Sequence, residues 1–334
     1  MMRAAIVGCG VIADVHARCL TQNENCSIVA FADIKKERAE EFVDRFGGKV
    51  YTDYQEMLAQ EKPDVLHICT PHYLHVPMTI AALKAGVNVF MEKPPVISRE
   101  QLEELKAAVA EADGKLGICF QNRYNPCVRM AKQLIDSGEA GKVLGARGLV
   151  TWHRDETYYT GSDWRGRLET EGGGALINQT IHTLDLLHYM LGKPLAAEAS
   201  MSNHHLKGVI EVEDTVEAYI RFEKSTASFY ATTAYCTDVP PLIEIACENM
   251  RIRMEDPGLT IYHKDGRIEC PDLCTAPALG KSYYGSGHKA CIGNYYDCLT
   301  SGCHFPQEFS DMEDSIRLML AVYESARTGK VVEL

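Results

Sequence analysis

Residues 3–13 constrain the fold of this chain more than any other stretch. A short apolar run, Arg3-Ala4-Ala5-Ile6-Val7, leads directly into Gly8-Cys9-Gly10-Val11-Ile12-Ala13. The run reads as a strand, and the residues after the glycines read as the start of a helix. In that setting a glycine turn of this spacing cradles a dinucleotide. Gly8 permits the tight turn, Gly10 lets the backbone approach a pyrophosphate, and Ala13 stands in for a third glycine, still small enough for helix-on-sheet packing. The first turn of the helix, with Val11 and Ile12, then offers its unsatisfied N–H groups to the phosphates. Asp33 ends the next apolar run, 23 residues after Gly10, and is placed to accept hydrogen bonds from ribose hydroxyls. Its charge would repel a 2′-phosphate, which favours NAD over NADP; Lys35 and Lys36 pull the other way.

The rest of the first third continues the alternation. Ser27–Ala32, Val65–Cys69, Val87–Met91 and Leu116–Phe120 are continuous apolar runs, as expected of strands buried on both faces of a parallel sheet. Helical patterns lie between them over 35–46, 75–85 and 98–112, the second closed by Gly86 and the third opened by Ser98. Such βα alternation predicts an α/β domain, a doubly wound parallel sheet of the Rossmann kind, over residues 1–121. Beyond it the pattern changes. Helices are predicted over 126–137, 175–191 and 311–327, the last with Ser310 and Glu313 as a capping box and Gly329 as its stop. The stretches 143–153 and 196–270 alternate with period two, as in Val216, Ala218, Ile220 and Phe222. Residues 122–334 therefore read as an α+β domain with a large, mostly antiparallel open sheet.

Charge and cysteine usage narrow the function classes. Lys and Arg number 34 against 46 Asp and Glu, a net charge of −12, which argues against nucleic-acid or anionic-membrane partners. No run of 18 apolar residues offers a spanning helix, and the apolar start before Gly8 is too short for a signal-peptide core. The 13 cysteines are odd in number, scattered and without a CxxC; the nearest spacings are Cys270-x3-Cys274 and Cys298-x4-Cys303. They read as reduced thiols of a cytoplasmic protein. A one-sided sheet leaves a face to be solvated or covered, so a homodimer or homotetramer is expected.

Two further motifs suggest chemistry. Glu92-Lys93-Pro94-Pro95 follows the fourth of these strands, at the carboxyl end where ligands sit in such sheets. There Lys93 could polarise or deprotonate a hydroxyl, although a lysine in a proline-rich turn is more often merely exposed; the X-Pro bond also permits a cis peptide. In the stretch from Gly172 to Asp185, the glycines would let the backbone approach a cofactor or turn into a helix. Asn178, His182 and Asp185 then fall at i, i+4 and i+7, on one face. A buried histidine satisfied by Asp185 is the plainer reading. His72 and His75 read as loop and helix-start positions, and no grouping has metal-ligand spacing, so no metal is expected.

The order and spacing of these pieces resemble the Gfo/Idh/MocA oxidoreductases, the glucose–fructose oxidoreductase and inositol dehydrogenase family. The resemblance covers nearly the whole chain. It rests on the glycine turn, Cys69-Thr70-Pro71-His72-Tyr73-Leu74-His75, Glu92-Lys93-Pro94, Gln121–Pro126, Asp163-Trp164-Arg165-Gly166, Gly172–Asp185 and Ala321–Gly329. It implies NAD(P) in the first domain, with Thr70, Pro71, His75, Glu92 and Lys93 beside the glycine turn, and a sugar or polyol against the second domain's sheet. It makes Lys93 the catalytic lysine. Its Asp-x3-His pair falls on Asn178 and His182, so this chain departs at the first member; an amide cannot ionise and would position substrate instead. Asp185 could then orient His182. His182 would take the hydroxyl proton while Lys93 stabilises the developing alkoxide, or the two roles are exchanged. Arg123, Tyr124, Tyr158, Trp164 and Arg165 are candidate substrate contacts, aromatic faces for a sugar ring and guanidiniums for an anion. The implied function is an NAD-dependent dehydrogenase of sugars, polyols or their derivatives. A redox-neutral NAD-dependent glycosidase or lyase and a non-catalytic nucleotide-binding regulator are the alternatives.

Overall fold

Apolar runs without alternation need cover on both faces, and the first third of the chain provides it. In the computed structural model, which describes residues 1–255, 257–273, 279 and 285–334, six strands form one parallel sheet. They are β1 (Met2–Val7), β2 (Cys26–Ala32), β3 (Lys49–Tyr51), β4 (Val65–Ile68), β5 (Asn88–Glu92) and β6 (Leu116–Cys119). Helices α1 (Val11–Thr21), α2 (Lys36–Phe46), α3 (Tyr54–Glu61), α4 (His75–Lys84) and α5 (Arg99–Glu111) connect them. All five strands read from the sequence are present. The sixth, β3, is three residues long and buries only Tyr51 fully, so it has no apolar run to reveal it. Ser98 caps α5 as expected, accepting from Gln101 N at 3.2 Å.

The spatial order is β3-β2-β1-β4-β5-β6. The chain thus leaves β1 toward β2 and β3, then returns to place β4 on the other side of β1. The crevice beyond the strand ends at such a reversal is where open α/β sheets bind ligands.

By packing, the chain divides into two compact units, Met1–Gln121 with Ala278–Met312, and Asn122–Pro277 with Glu313–Leu334. A single boundary at 121 places Ala278–Met312 in the second unit; the structure packs it with the first. The reason is the free edge of β6, which needs cover. The helix His288–Ser301, unread in the sequence, brings Tyr295 OH to Val89 O at 2.9 Å and to Lys115 O at 3.0 Å. Gln307 then pairs with that edge, its carbonyl accepting from Ile118 N at 3.0 Å and its Nε2 donating to Phe120 O at 2.9 Å.

The second unit is built on a nine-stranded sheet. Its strands are β7 (Val143–Thr151), β8 (Pro194–Ser202), β9 (Thr215–Phe222), β10 (Thr226–Thr232), β11 (Leu242–Cys247), β12 (Met250–Glu255), β13 (Gly258–His263), β14 (Ile268–Glu269) and β15 (Val332–Glu333). Their order is β14-β13-β12-β11-β7-β10-β9-β8-β15, and only β7 with β10 run parallel. In β9 the alternation holds: Val216, Ala218, Ile220 and Phe222 are buried and the residues between them are not. The helix Ile181–Leu191 lies on β7, so close that a Cβ on Gly148 would come within 3.0 Å of Thr183 and 3.1 Å of Leu187. Leu144, Met201 and Tyr219 remain exposed. The last helix spans Phe309–Thr328, starting before the expected Ser310 cap. Instead the Asp311 carboxylate reaches back to accept Glu308 N at 3.1 Å. Cys274 lies outside the described residues.

Candidate functional site

In the first unit the glycine turn sits at the strand-order reversal. Gly8 has φ +85°, and a Cβ there would lie 2.8 Å from the Cys69 carbonyl at the end of β4. Only glycine fits. Around Gly10 the situation is opposite, with nothing within 4 Å of an added Cβ. Gly10 precedes α1, no side chain caps that helix, and Val11 at its start is 65 % exposed. An open cradle with uncapped N–H donors fits the phosphates of a dinucleotide. Asp33 ties the cradle to β2: Oδ2 accepts from Cys9 N and Oδ1 from Lys35 N, each at 2.8 Å. Each carboxylate oxygen has a second lone pair for a ribose hydroxyl. Thr70 and Pro71, at the end of β4, are half-buried.

From Val89 to Val96 every side chain is buried except that of Lys93. The Lys93–Pro94 peptide is cis. Two buried side chains hold the turn from behind. Glu92 accepts from Lys93 N at 3.2 Å and lies 2.9 Å from His16 Nε2. His75, 1 % exposed, places Nδ1 2.7 Å from Pro94 O and Nε2 2.9 Å from Thr70 O. The resemblance sets Glu92 and His75 among the cofactor contacts. In the structure both side chains are buried and brace the turn that presents Lys93.

The buried network continues beyond Glu92. His16 Nδ1 lies 2.9 Å from His67 Nδ1, and His67 Nε2 lies 2.9 Å from Tyr296 OH. Burial alone would lower the His16 pKa, but hydrogen bonds to Cys119 and Glu92 outweigh it and raise it to about 9. A charged His16 donates to Glu92 and to a neutral His67, whose pKa burial holds well below the ordinary value. Burial would raise Glu92, yet His16 pulls it far below the usual carboxylate range. His16, Glu92 and Cys119 bring their ligand atoms within 4.8 Å of one another, a grouping that no sequence spacing reveals.

The sign of the pH effect follows from these shifts. The raised His16 contributes stability fully below pH 6.5 and loses it as pH rises through about 9. The lowered Glu92 contributes above pH 4.5 and loses it on the acid side. We expect His16→Ala, which strands a buried carboxylate, to cost about 3–5 kcal/mol. It should also flatten the decline in stability on the alkaline side, as read from urea midpoints across pH.

In the second unit the glycine-rich segment follows the short helix Leu168–Glu171. A Cβ on Gly173 would lie 2.0 Å from Tyr323 OH, and one on Gly174 would lie 2.1 Å from Glu213 O. These two glycines therefore admit protein neighbours, where sequence alone allows a cofactor. Glu213, buried, accepts from Gly174 N at 2.9 Å, Leu176 N at 3.0 Å and Tyr323 OH at 2.8 Å. The chain then winds through a π-helix, Ala175–Thr180, into the helix Ile181–Leu191. Such π turns are rare and frequent at functional sites. From Gly173 to Leu187 only Asn178 and His182 reach the surface.

Asp185 does not join them. His182 and Asp185 both lie in the α-helix Ile181–Leu191, where a spacing of three residues leaves them roughly 60° apart, enough for one to open to the surface while the other is buried. Asp185 is buried and receives Arg123 Nε at 2.9 Å, Arg123 Nη2 at 2.5 Å and Ser315 Oγ at 2.6 Å. Asp185 is thus paired with Arg123, and Arg123 braces the helix from that buried ion pair. Asn178 instead meets Glu171, whose Oε1 accepts Nδ2 at 2.6 Å. Glu171, Glu213 and Tyr323 escape sequence reading because each acts through a neighbour brought close only by the fold.

Three of the remaining candidates, Tyr158, Trp164 and Arg165, lie together. The Arg165 guanidinium lies 4.5 Å from the Tyr158 ring and 5.1 Å from the Trp164 ring, and the Arg154 guanidinium lies 5.3 Å from the Tyr158 ring. Tyr158 packs on the buried cluster Tyr159, Leu206, Ile210 and Val212, and its hydroxyl accepts from Gln179 Nε2 at 3.2 Å. Tyr124 is half-buried.

A parallel sheet with an open phosphate cradle, followed by a large open sheet, defines a dinucleotide-dependent enzyme of two domains. Residues 2–120 match the oxidoreductase family with an NAD-binding Rossmann fold, and residues 128–253 match the GFO/IDH/MocA C-terminal domain. The chain is 31 % identical to the D-glucoside 3-dehydrogenase of Escherichia coli, over 100 % of this chain and 97 % of that one. It superposes on the WlbA dehydrogenase of Bordetella pertussis in complex with NADH and UDP-GlcNAcA, with a TM-score of 0.86 and 28 % identity over 100 % and 98 % of the two chains. A levoglucosan dehydrogenase in complex with NADH and levoglucosan has the same fold, with a TM-score of 0.89 at 23 % identity over 100 % and 99 %. The chain belongs to the Gfo/Idh/MocA family and is an NAD-dependent oxidoreductase. Among the described residues no helix is long and apolar enough to cross a membrane.

The two kinds of glycine should separate in experiment. Gly10→Ala meets nothing within 4 Å, so its urea midpoint should stay at the wild-type value while NAD⁺ affinity falls about tenfold or more. Gly174→Ala, with its contact to Glu213 O, should lose about 3 kcal/mol or more of stability.

Proposed function

We propose that Lys93 and His182 carry the acid–base chemistry of an NAD-dependent sugar or polyol dehydrogenase. The reaction moves a hydride between a hydroxyl-bearing carbon of a sugar, polyol or sugar derivative and nicotinamide. The observation behind the residue assignment is the pattern of exposure: Lys93 alone opens from a buried run in one unit, and Asn178 and His182 alone open from a buried run in the other. A polar side chain singled out in this way, and braced from behind, is suited to a fixed chemical task.

NAD, when bound, supplies the hydride acceptor; Gly8, Gly10, Val11, Ile12 and Asp33 hold it, with Thr70 and Pro71 beside them. His182 takes the proton of the substrate hydroxyl as general base. Lys93 stabilises the alkoxide that develops. Asn178 hydrogen-bonds the substrate, and Tyr124, Tyr158, Trp164 and Arg165 supply aromatic faces and one guanidinium to the ring and its substituents. A sugar-like substrate agrees with the relative that acts as a D-glucoside 3-dehydrogenase. The dehydrogenase is a cytoplasmic homo-oligomer in this reading. Support comes from thiols such as Cys9, Cys69 and Cys119, buried and in no disulfide, and from the apolar side chains Leu144, Met201 and Tyr219 left exposed on the nine-stranded sheet.

The test is a panel of sugars, polyols and sugar acids with NAD⁺, following NADH by absorbance. Net accumulation of NADH is expected; tightly held, recycled cofactor with no net reduction would favour the redox-neutral alternative. On a verified substrate, Lys93→Ala and His182→Ala should each lower turnover about 10²–10⁴-fold, with NAD⁺ binding intact in His182→Ala. Near-wild-type turnover in both variants would contradict the assignment.

A further inference from the structure

Glu171 ends the helix Leu168–Glu171 with its carboxyl fully buried, at 0 % exposure. Its two oxygens receive different donors. Oε2 accepts the backbone N–H of Gly166, and Oε1 accepts Asn178 Nδ2 at 2.6 Å. A carboxylate only accepts, so the NH₂ end of the Asn178 amide is the end that faces it. The amide is planar, and its Oδ1 therefore points away from Glu171. Asn178 is half-exposed, on the stretch that also presents His182.

We infer that Glu171 is a positioning residue for substrate: it holds the Asn178 amide with Oδ1 outward, so that position 178 offers an acceptor to a substrate hydroxyl. The inference rests on the reading of Asn178 as a substrate contact. The hydroxyl to be oxidised, and its neighbours on a sugar or polyol, are donors that such an acceptor selects. Two carboxyls in these places could not both ionise at this separation. An amide at 178 is thus the group that lets Glu171 stay charged while still binding it.

Among the described residues, the charged and titratable groups around Glu171 include Arg165, Glu213, Tyr159 and Tyr323. Burial raises its carboxyl to about 7, with Glu213 adding to the rise and Gly166, Asn178 and Arg165 opposing it. Protonation at Oε1 turns the acceptor into a donor and reverses the amide. The outward acceptor is the form held on the alkaline side, and substrate KM falls as pH rises through about 7.

The variants follow from the donor pattern. Glu171→Gln keeps its oxygen for Gly166 N–H and presents an NH₂ to Asn178, which turns the Asn178 oxygen inward and its NH₂ outward. Adding Asn178→Asp restores an outward oxygen while the new carboxylate accepts from Gln. The fold is satisfied in both. A ¹⁵N spectrum of the full-length protein reads the amide without substrate: the Asn178 side-chain signal, assigned by its loss in Asn178→Asp, should titrate with a midpoint near 7 in wild type and not in Glu171→Gln. Kinetics use whichever of methyl β-D-glucopyranoside, levoglucosan and myo-inositol the wild type oxidises with NAD⁺. Glu171→Gln should raise KM about tenfold or more, abolish its dependence on pH near neutrality and leave NAD⁺ affinity unchanged. The double variant should recover most of the loss. An Asn178 signal indifferent to Glu171, an unchanged KM in Glu171→Gln, or a double variant no better than the single overturns the inference. Failure of the wild type on all three substrates counts against the proposed function instead, while the spectrum still decides whether Glu171 holds the amide.

Discussion

A carboxylate taken out of water has to be paired, hydrogen-bonded or protonated. This chain buries three of them close behind its functional segments. Glu92 lies inside the sheet beside Lys93 and is paired with His16. Glu171 lies beneath Asn178. Glu213 accepts two backbone N–H groups and a tyrosine hydroxyl at the start of the π-helix. Each satisfies its lone pairs by fixing a backbone or side chain, and the fixed group leads to a residue that opens to the surface. The exposed residues are therefore rigid because the buried ones are costly to leave unpaired.

The glycines show how one residue type serves two purposes here. Gly8 is required by a positive φ and by the approach of β4, and Gly10 has open space beside it. Gly173 and Gly174 have none, being filled by Tyr323 and Glu213. The first pair lines the open turn at the start of α1. The second pair lets a tyrosine and a glutamate reach the backbone that carries Asn178 and His182.

Much of this was legible in the residues. Period and apolar run length identify the parallel sheet, because five of its strands are buried on both faces. The alternation in β9 identifies the second sheet for the converse reason. The glycine turn and Asp33 are local in sequence, and so is their chemistry. What stayed hidden depends on distant partners. His16 gains its meaning from Glu92, 76 positions away, and Asp185 from Arg123, 62 positions away. The helix His288–Ser301 is tied to the first unit by Tyr295 hydrogen bonds to Val89 and Lys115. Asp185 stands three residues from His182 on one α-helix, roughly 60° round its axis, and that step turns it from the surface into the interior.

The claim that buried carboxylates fix the exposed residues is tested most directly by a ¹³C-carboxyl NMR titration of glutamate-labelled protein, with Glu92, Glu171 and Glu213 assigned by single substitution. Glu92 should stay ionised until the protein unfolds in acid, held there by His16. Glu171 should titrate near 7, and Glu213 above the ordinary glutamate value of 4.5. Three glutamates all titrating at that ordinary value would show them to be solvated and would contradict the account.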